Sequence, residues 1–529
     1  MKQDSQVIIV GGGPVGAAMA VALGLRGISC ALIERHLLPQ HIPKGQNLSQ
    51  RSMENLYFWE VSDEVRAARV LPPDFPIGGI TAYGDLSSDH WFAPAGRESV
   101  APFYSQKNER LPQYLTEEVL RRKLTSLPSV TTMFGWTAES VEQDDSGVRI
   151  AISKDGEPQV TLTADYVVGC DGAHSLVRKQ FGIKHSGTDF EQKVALVVFR
   201  SNELRGHLRR FPDRTTYRVL HPKLKGVWQF FGRIDAEVGW FFHAPVPDDT
   251  TPDNFDFHGL MERASGFTFD CEFDYIGFWA LRVSVADTYR RGRAFLAGDS
   301  AHSHPPYGAF GLNSGLDDVA NLAWKLSAAL DGWGGEILLD SYSEKRRPIF
   351  WETGEKVIAG GIKEDGSFLV NNSPERDLGT FLEGWKQLEE RESIKYTAYE
   401  PHYDGSNVVL GAPLQTTGVD ALHSKRAQPG HHLAPQVLSS GKNIYEELGT
   451  GFTLMPFDSD ETTIESFRKA SQSTGVPLKI IEDTLEGGRE GYESRLVLVR
   501  PDQYVAWAGN SQPDDMTALL HKVTGRKEN

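Results

Sequence analysis

Two periodicities alternate along the first half of the chain. Val7 to Val10 form a continuous apolar run, stopped by three glycines, after which Val15, Ala18, Met19, Ala22 and Leu23 recur at helical spacing. A strand, a tight turn and a helix are predicted in that order, followed by a second apolar strand in "SCALIE" that ends at Glu34. Further on, "KVALVVFR", "TTYRVLHP", "GVWQFFGRI" and "VGWFFHAPV" are β-branched and aromatic, separated by Pro, Asp and Gly, and predict one antiparallel sheet. In "VWQFFGR" the period of two puts Trp228 and Phe230 on one face and Gln229, Phe231 and Arg233 on the other, so one face can pack while the other lines a cavity.

The first turn carries chemistry. Gly11, Gly13 and Gly16 stand in a GxGxxG pattern with Pro14 inside it. The first glycine permits the turn, the second lets backbone approach a pyrophosphate, and the third lets helix pack on strand. Glu34 lies 18 residues beyond Gly16, where a carboxylate can accept hydrogen bonds from ribose hydroxyls, and Arg35 follows it. This much suits NAD or FAD equally.

Three later segments each deliver a polar side chain at the end of a strand or turn. Tyr166 to Val168 predict a strand before a turn at Gly169, Asp171 and Gly172, with Ser175 and Arg178 on a helix; Gln113 precedes an amphipathic helix; and Ala294 to Ala297 run into Gly298 and Asp299. The stretch "GDSAHSHPPYGAFGLNSG" holds ligand and nucleophile types, but His302 and His304 have no partner cluster at zinc spacing, so no metal is expected. Asp299, Ser300 and His302 are too close in sequence for triad geometry and no G-x-S-x-G elbow exists, so the histidines are expected to fix the loop. A helix with Leu316, Val319, Ala320, Ala323 and Leu326 on one face follows, and its glycine-rich start presents unpaired N–H groups.

In these fingerprints, Gly11 to Gly16, Asp171 to Arg178 and Gly298 to Asn313, the chain resembles the class A FAD-dependent aromatic hydroxylases, the flavoprotein monooxygenases of the phenol hydroxylase and 2-hydroxybiphenyl monooxygenase subgroup. The resemblance implies an α/β fold: a Rossmann-like FAD-binding domain interleaved with an antiparallel β-sheet substrate domain, plus a C-terminal thioredoxin-like domain. The expected boundaries are 1–80, 100–180 and 285–350 for the FAD-binding parts, 81–99 and 181–284 for the sheet domain, 351–400 for a helical connection and 401–529 for the tail. The tail lacks CxxC and is expected to be redox-silent.

The resemblance also implies roles. Glu34 would bind the adenosine ribose, Arg51 and Gln113 the pyrophosphate and ribityl side, and Asp299 a ribityl hydroxyl, while Asp171 is associated with FAD and pyridine nucleotide. Pro306 would wall the flavin, and Gly311, Leu312 and Asn313 would contact its ring. Tyr217, Arg218 and His243 are the candidate orienters or bases toward a phenolic proton. Ala309 stands where the family has Gly, and Gln46 where a small residue is common; "WFFHAP" lacks the WxWxIP signature of flavin-dependent halogenases.

A net charge of -16 argues against a nucleic-acid or anionic-membrane partner, and the start of the chain has no signal-peptide pattern. Cys30, Cys170 and Cys271 are isolated from one another, which fits a reducing cytoplasm. The expected activity is hydroxylation of a small aromatic substrate by O2, with FAD as cofactor and NADH or NADPH as co-substrate, through a flavin hydroperoxide; a homodimer is possible. Baeyer–Villiger oxygenation, a flavin-binding protein without oxygenase activity and a plain NAD-dependent dehydrogenase are the alternatives.

Overall fold

A computed structural model describes residues 4–527. Among these described residues the run Val7–Val10 sits inside a six-stranded sheet, ordered Arg290–Arg291, Ala294–Leu296, Tyr166–Gly169, Val7–Val10, Cys30–Glu34 and Val130–Phe134. Every neighbouring pair is parallel except the one at the Arg290–Arg291 edge. Parallel strands are covered on both faces, which is why Val7–Val10 and Cys30–Glu34 are apolar without alternation and buried throughout. The helix Pro14–Gly24 packs on this sheet and against the helices Gln113–Leu124 and Gly311–Leu330. Gly16 explains how closely: a Cβ there would lie 1.8 Å from the Gly11 carbonyl oxygen.

The second sheet has seven strands, in the order Glu272–Arg282, Asp189–Arg200, Gly239–Val246, Gln229–Arg233, Thr216–Leu220, Gly79–Tyr83 and Trp91–Phe92. The four segments read as strands from the sequence are its centre, and they pair antiparallel. The sheet also holds a parallel pair, Thr216–Leu220 with Gly79–Tyr83, that alternation could not foretell. Its register sorts the faces: Tyr217 pairs with Phe231 and Phe231 with Phe242, whereas Arg218 pairs with Thr81 and Phe230, and Phe230 with His243. The Tyr217 row is buried in an apolar core with Phe211, Trp240 and Met261.

The helices Gly360–Asn371 and Leu378–Ile394 lie beside this sheet, where Leu369, Phe381, Trp385 and Leu388 pack on Tyr83, Phe92 and Leu220. In the tail, strands Leu478–Ile480, Phe452–Pro456, Leu496–Val499 and Val505–Gly509 form a four-stranded sheet, with the helices Glu461–Thr474 and Met516–Val523 in its core. That core includes Trp324 and Ala328 from the helix Gly311–Leu330, so the tail is anchored on the body. Among the described residues no helix is long and apolar enough to cross a membrane.

One carboxylate joins three segments beside the parallel sheet. Asp318 is fully buried; it accepts from His302 Nε2 at 2.6 Å, from the Gly298 backbone N–H at 3.1 Å and from Arg346 Nε at 2.8 Å. Burial alone would raise its pKa, but His302 and Arg346 outweigh that and hold it below the usual carboxylate range. Asp318→Ala would leave Arg346 and His302 facing a void without an acceptor. The expected loss is about 3–5 kcal/mol, the scale for removing one member of a buried ion pair, measured by urea unfolding; a loss under about 1 kcal/mol would show that the hub is dispensable.

Candidate active site

The strand ends of the parallel sheet and one face of the seven-stranded sheet enclose a single cleft of about 900 Å³. At one end lie Gly11, Gly13, Pro14, Glu34, Arg35, Gln113, Asp171 and Asp299. Gly11 has φ +99°, and a Cβ there would sit 2.4 Å from the Cys170 carbonyl oxygen, so only glycine lets the loop pass the neighbouring strand end. The helix Pro14–Gly24 starts without a side-chain cap and with proline in its first turn; the helix Gly311–Leu330 also starts uncapped. Two sets of free backbone N–H groups therefore open at the cleft, each favouring negative charge.

The carboxylates differ in their state. Glu34 accepts from the Gly12 and His36 backbone N–H groups, both at 2.7 Å, and keeps further lone pairs. Asp171 Oδ2 accepts from the Leu176 and Val177 N–H groups at 2.7 and 3.2 Å, while Oδ1 has no partner. Asp299 opens to the cleft yet is walled by protein, and this enclosure raises its pKa against the lowering pull of His302 and Lys44. Gln46 is buried at the cleft wall with both amide atoms unpartnered.

At the other end the Arg218 row forms the ceiling. Thr81, Arg218, Phe230 and His243 line the cleft with Trp228 and Phe241, and Pro306 and Leu312 also line it. Arg218 Nε donates to Thr81 Oγ1 at 3.0 Å and its guanidinium lies 4.0 Å over the Trp228 ring. Its Nη1 faces Asp365 at 3.7 Å and Glu392 at 3.6 Å, while Nη2 is buried without a partner. Burial opposes ionisation of Glu392, but Lys395, Arg218 and Arg391 hold its pKa down to about 2. His243 stacks on Phe230 at 4.9 Å, its Nδ1 is unpartnered, and desolvation lowers its pKa to about 3, so the ring is neutral near pH 7.

Four expected residues do not line the cleft: Gly16 sits beneath the loop against the Gly11 carbonyl, and three others stand elsewhere. Tyr217 faces the apolar core behind the sheet, because it alternates with Arg218 and only one can meet the cleft. Arg51 points to the tail: it donates to Gln503 Oε1 at 2.9 Å and the Asp502 carbonyl at 2.8 Å, and pairs with Glu54 and Asp317. The Asn313 side chain is spent on protein, accepting from the Ser49 N–H and Ser52 hydroxyl and donating to the Asn47 and Ala309 carbonyls. Gly311 and Leu312 do line the cleft. His302 is held by Asp318, and His304 lines the cleft with Nε2 unpartnered.

The sequence reading missed Arg110, Glu392, Lys395 and Tyr396, all on the cleft wall. Glu392 is in the last turn of the helix Leu378–Ile394 and Lys395 and Tyr396 come just after it, in a stretch whose charges look like an ordinary solvated face. Ala309, the departure from glycine, adopts φ +56° just after Gly308 at +73°, a left-handed pair that strains a residue carrying a Cβ.

Comparison with known proteins decides the class. Residues 4–356 match the family described as FAD binding domain, and residues 428–526 match the family described as aromatic-ring hydroxylase, C-terminal. The chain is a flavoprotein monooxygenase of the aromatic-hydroxylase class. It is 31% identical to a putative polyketide hydroxylase of Streptomyces halstedii over 95% of this chain and 92% of that one. It is 29% identical to 4-methyl-5-nitrocatechol 5-monooxygenase of a Burkholderia species, over 97% and 96% of the two chains. Among solved structures it is similar to RebC with bound 7-carboxy-K252c, at 27% identity and a TM-score of 0.85 over 99% of both chains.

The residues of this monooxygenase fit FAD. Two uncapped helix starts would suit the anionic parts of such a cofactor, Glu34 keeps lone pairs that could accept from a ribose, and the unpartnered Asp171 Oδ1 and Gln46 amide leave polar capacity on the same wall. Glu34→Ala is expected to weaken FAD by about 1–3 kcal/mol, the scale of a hydrogen bond to a charged group; an unchanged FAD dissociation constant removes Glu34 from the site.

The depressed pKa of His243 has a signed consequence for stability. The unfolded ring protonates near 6.5 and the folded one near 3, so its contribution is complete above the first value and is lost as pH falls toward the second. From pH 7 to pH 5 the parent should lose about 2 kcal/mol more than His243→Phe in urea unfolding, and parallel losses would show that His243 is not desolvated.

Proposed function

We propose that the chain hydroxylates a planar, phenol-bearing aromatic substrate at the expense of O2 and NADH or NADPH, with the substrate held under the Arg218 row. The observation that carries this is the shared cleft: the FAD-binding wall and an aromatic ceiling with two unsatisfied polar groups, Arg218 Nη2 and His243 Nδ1, face one space. The relatives named for polyketide and nitrocatechol oxygenation support that substrate class. FAD, once bound and reduced, supplies the activated oxygen.

The chain's own residues do the rest. Trp228, Phe230 and Phe241 offer flat apolar surface to the ring and keep water from the reacting face. The Arg218 guanidinium has a free donor that stabilises a phenolate oxygen and so enriches the ring in electrons. His243, neutral and with a pKa near 3, is a weak base, and its role is a hydrogen bond that orients the substrate. We take the FAD-binding, sheet, helical and tail units at the boundaries given above, with the tail a redox-silent thioredoxin-like domain; none of the chain's three cysteines lies beyond residue 271, which supports that silence.

The test is to offer phenols, hydroxypyridines and polycyclic quinones to the FAD-loaded chain and follow NAD(P)H consumption, with 18O from O2 traced into product by mass spectrometry. Substrate-stimulated consumption with a new ring hydroxyl is expected. Arg218→Lys, which keeps the charge and loses the fork, should lower kcat/KM by about 10- to 100-fold, the equivalent of one charge-assisted hydrogen bond. A lactone product would mean Baeyer–Villiger chemistry, and no stimulation by any compound would leave a flavin-binding protein.

A further inference from the structure

Among the described residues, one cluster of metal-ligating side chains lies outside the cleft, where the tail begins. His402, Asp404 and His431 are each at least nine-tenths buried and can each bring a ligand atom within 4.8 Å of the others. His402 Nδ1 lies 3.4 Å from Asp404 Oδ2, and His431 Nε2 lies 3.3 Å from Asp404 Oδ1. Neither His402 Nδ1 nor Asp404 Oδ1 has a hydrogen-bond partner, although burial makes an unpaired polar atom costly. Donors bound tetrahedrally at about 2.0–2.1 Å stand about 3.3 Å apart; each imidazole nitrogen is at that distance from an Asp404 oxygen, and all three ligand atoms lie within 4.8 Å, so a small closing movement brings them around one ion.

The outer nitrogens complete the pattern. His402 Nε2 faces Asp420 Oδ1 at 3.5 Å and His431 Nδ1 faces Glu400 Oε2 at 3.8 Å. Each ring thus has one nitrogen toward Asp404 and the other on the side of a second carboxylate, close enough that a small shift on metal binding would make the hydrogen bonds that orient metal-binding imidazoles. The two rings are parallel within 5° at 5.2 Å. Backbone bonds fix the ligand stretches together: Tyr403 N–H donates to the Gly430 carbonyl at 2.7 Å, and His402 N–H to that of Gly418 at 3.0 Å. Gly430, at φ +90°, would place a Cβ 3.2 Å from Asp404 Oδ1, so its lack of a side chain keeps that oxygen clear.

We propose that His402, Asp404 and His431 bind one divalent transition-metal ion of the zinc type, independently of the oxygenase site. Two imidazoles and one carboxylate form a borderline donor set that suits zinc over calcium or magnesium. Gln428, whose amide nitrogen lies 2.8 Å from His431 Nε2, gives way to the ion, and its amide turned over offers an oxygen as fourth ligand. Burial and closure make the site structural. It ties the chain just beyond the cleft-lining Tyr396 to the "QPGHH" loop of the tail.

The test uses the FAD-loaded full chain, stripped with chelator and titrated with Zn2+ against a chromophoric competitor, then with Co2+ to read its visible bands. One equivalent of Zn2+, an intense tetrahedral Co2+ spectrum and a higher Tm with zinc are expected. Asp404→Asn and His431→Gln should abolish all three while bound flavin absorbance stays unchanged. Asp420→Ala, at an exposed position, should weaken zinc by about 10- to 100-fold. No zinc or cobalt retained by the parent, or equal binding by the parent, Asp404→Asn and His431→Gln, overturns the proposal.

Discussion

The Asp318 carboxylate is the constraint on which the site depends. With His302, Gly298 and Arg346 all donating to it, one buried charge sets the position of the loop that carries Asp299 and Pro306, the start of the helix Gly311–Leu330, and the following helix Glu336–Glu352. A fully buried carboxylate persists only when its acceptor capacity is met, and here three segments must be in place together to meet it. The loop's polar residues thus divide by depth: His302 belongs to the protein and Asp299 to the cleft.

The parallel sheet, its glycine turn and the antiparallel centre were legible because each announces itself over a few consecutive residues. Val7–Val10 is uniformly apolar, Gly11 needs a positive φ, and the four aromatic segments alternate. Alternation also contained an unused decision: Tyr217 and Arg218 are neighbours on one strand, so one of them had to face away from the cleft. Burial of Tyr217 with Trp240 and Phe211 shows which.

What stayed hidden depends on partners far along the chain. Arg51 meets Asp502 and Gln503, more than 450 residues away, so the resemblance pointed it to a phosphate while its guanidinium is taken up by Glu54, Asp317 and the tail. Glu392 and Lys395 end a helix whose other face is solvated, and only the approach of Arg218 turns them into part of a cavity wall. Asn313 lies in a recognisable motif, yet its amide stitches backbone to backbone.

The ceiling of the cleft is set by strand register. Thr81, Arg218, Phe230 and His243 lie in one line across four strands, while the alternate line, Tyr217, Phe231 and Phe242, is packed behind them. The cleft-side line and the line packed behind it are therefore distinct, though Phe230 of the first also belongs to a buried cluster with Val198, Phe241 and Tyr307. Exchange at Thr81, Arg218 or His243 would reshape the cleft without touching the Tyr217 line, so the shape of the cavity and the packing behind the sheet can vary separately at those three positions.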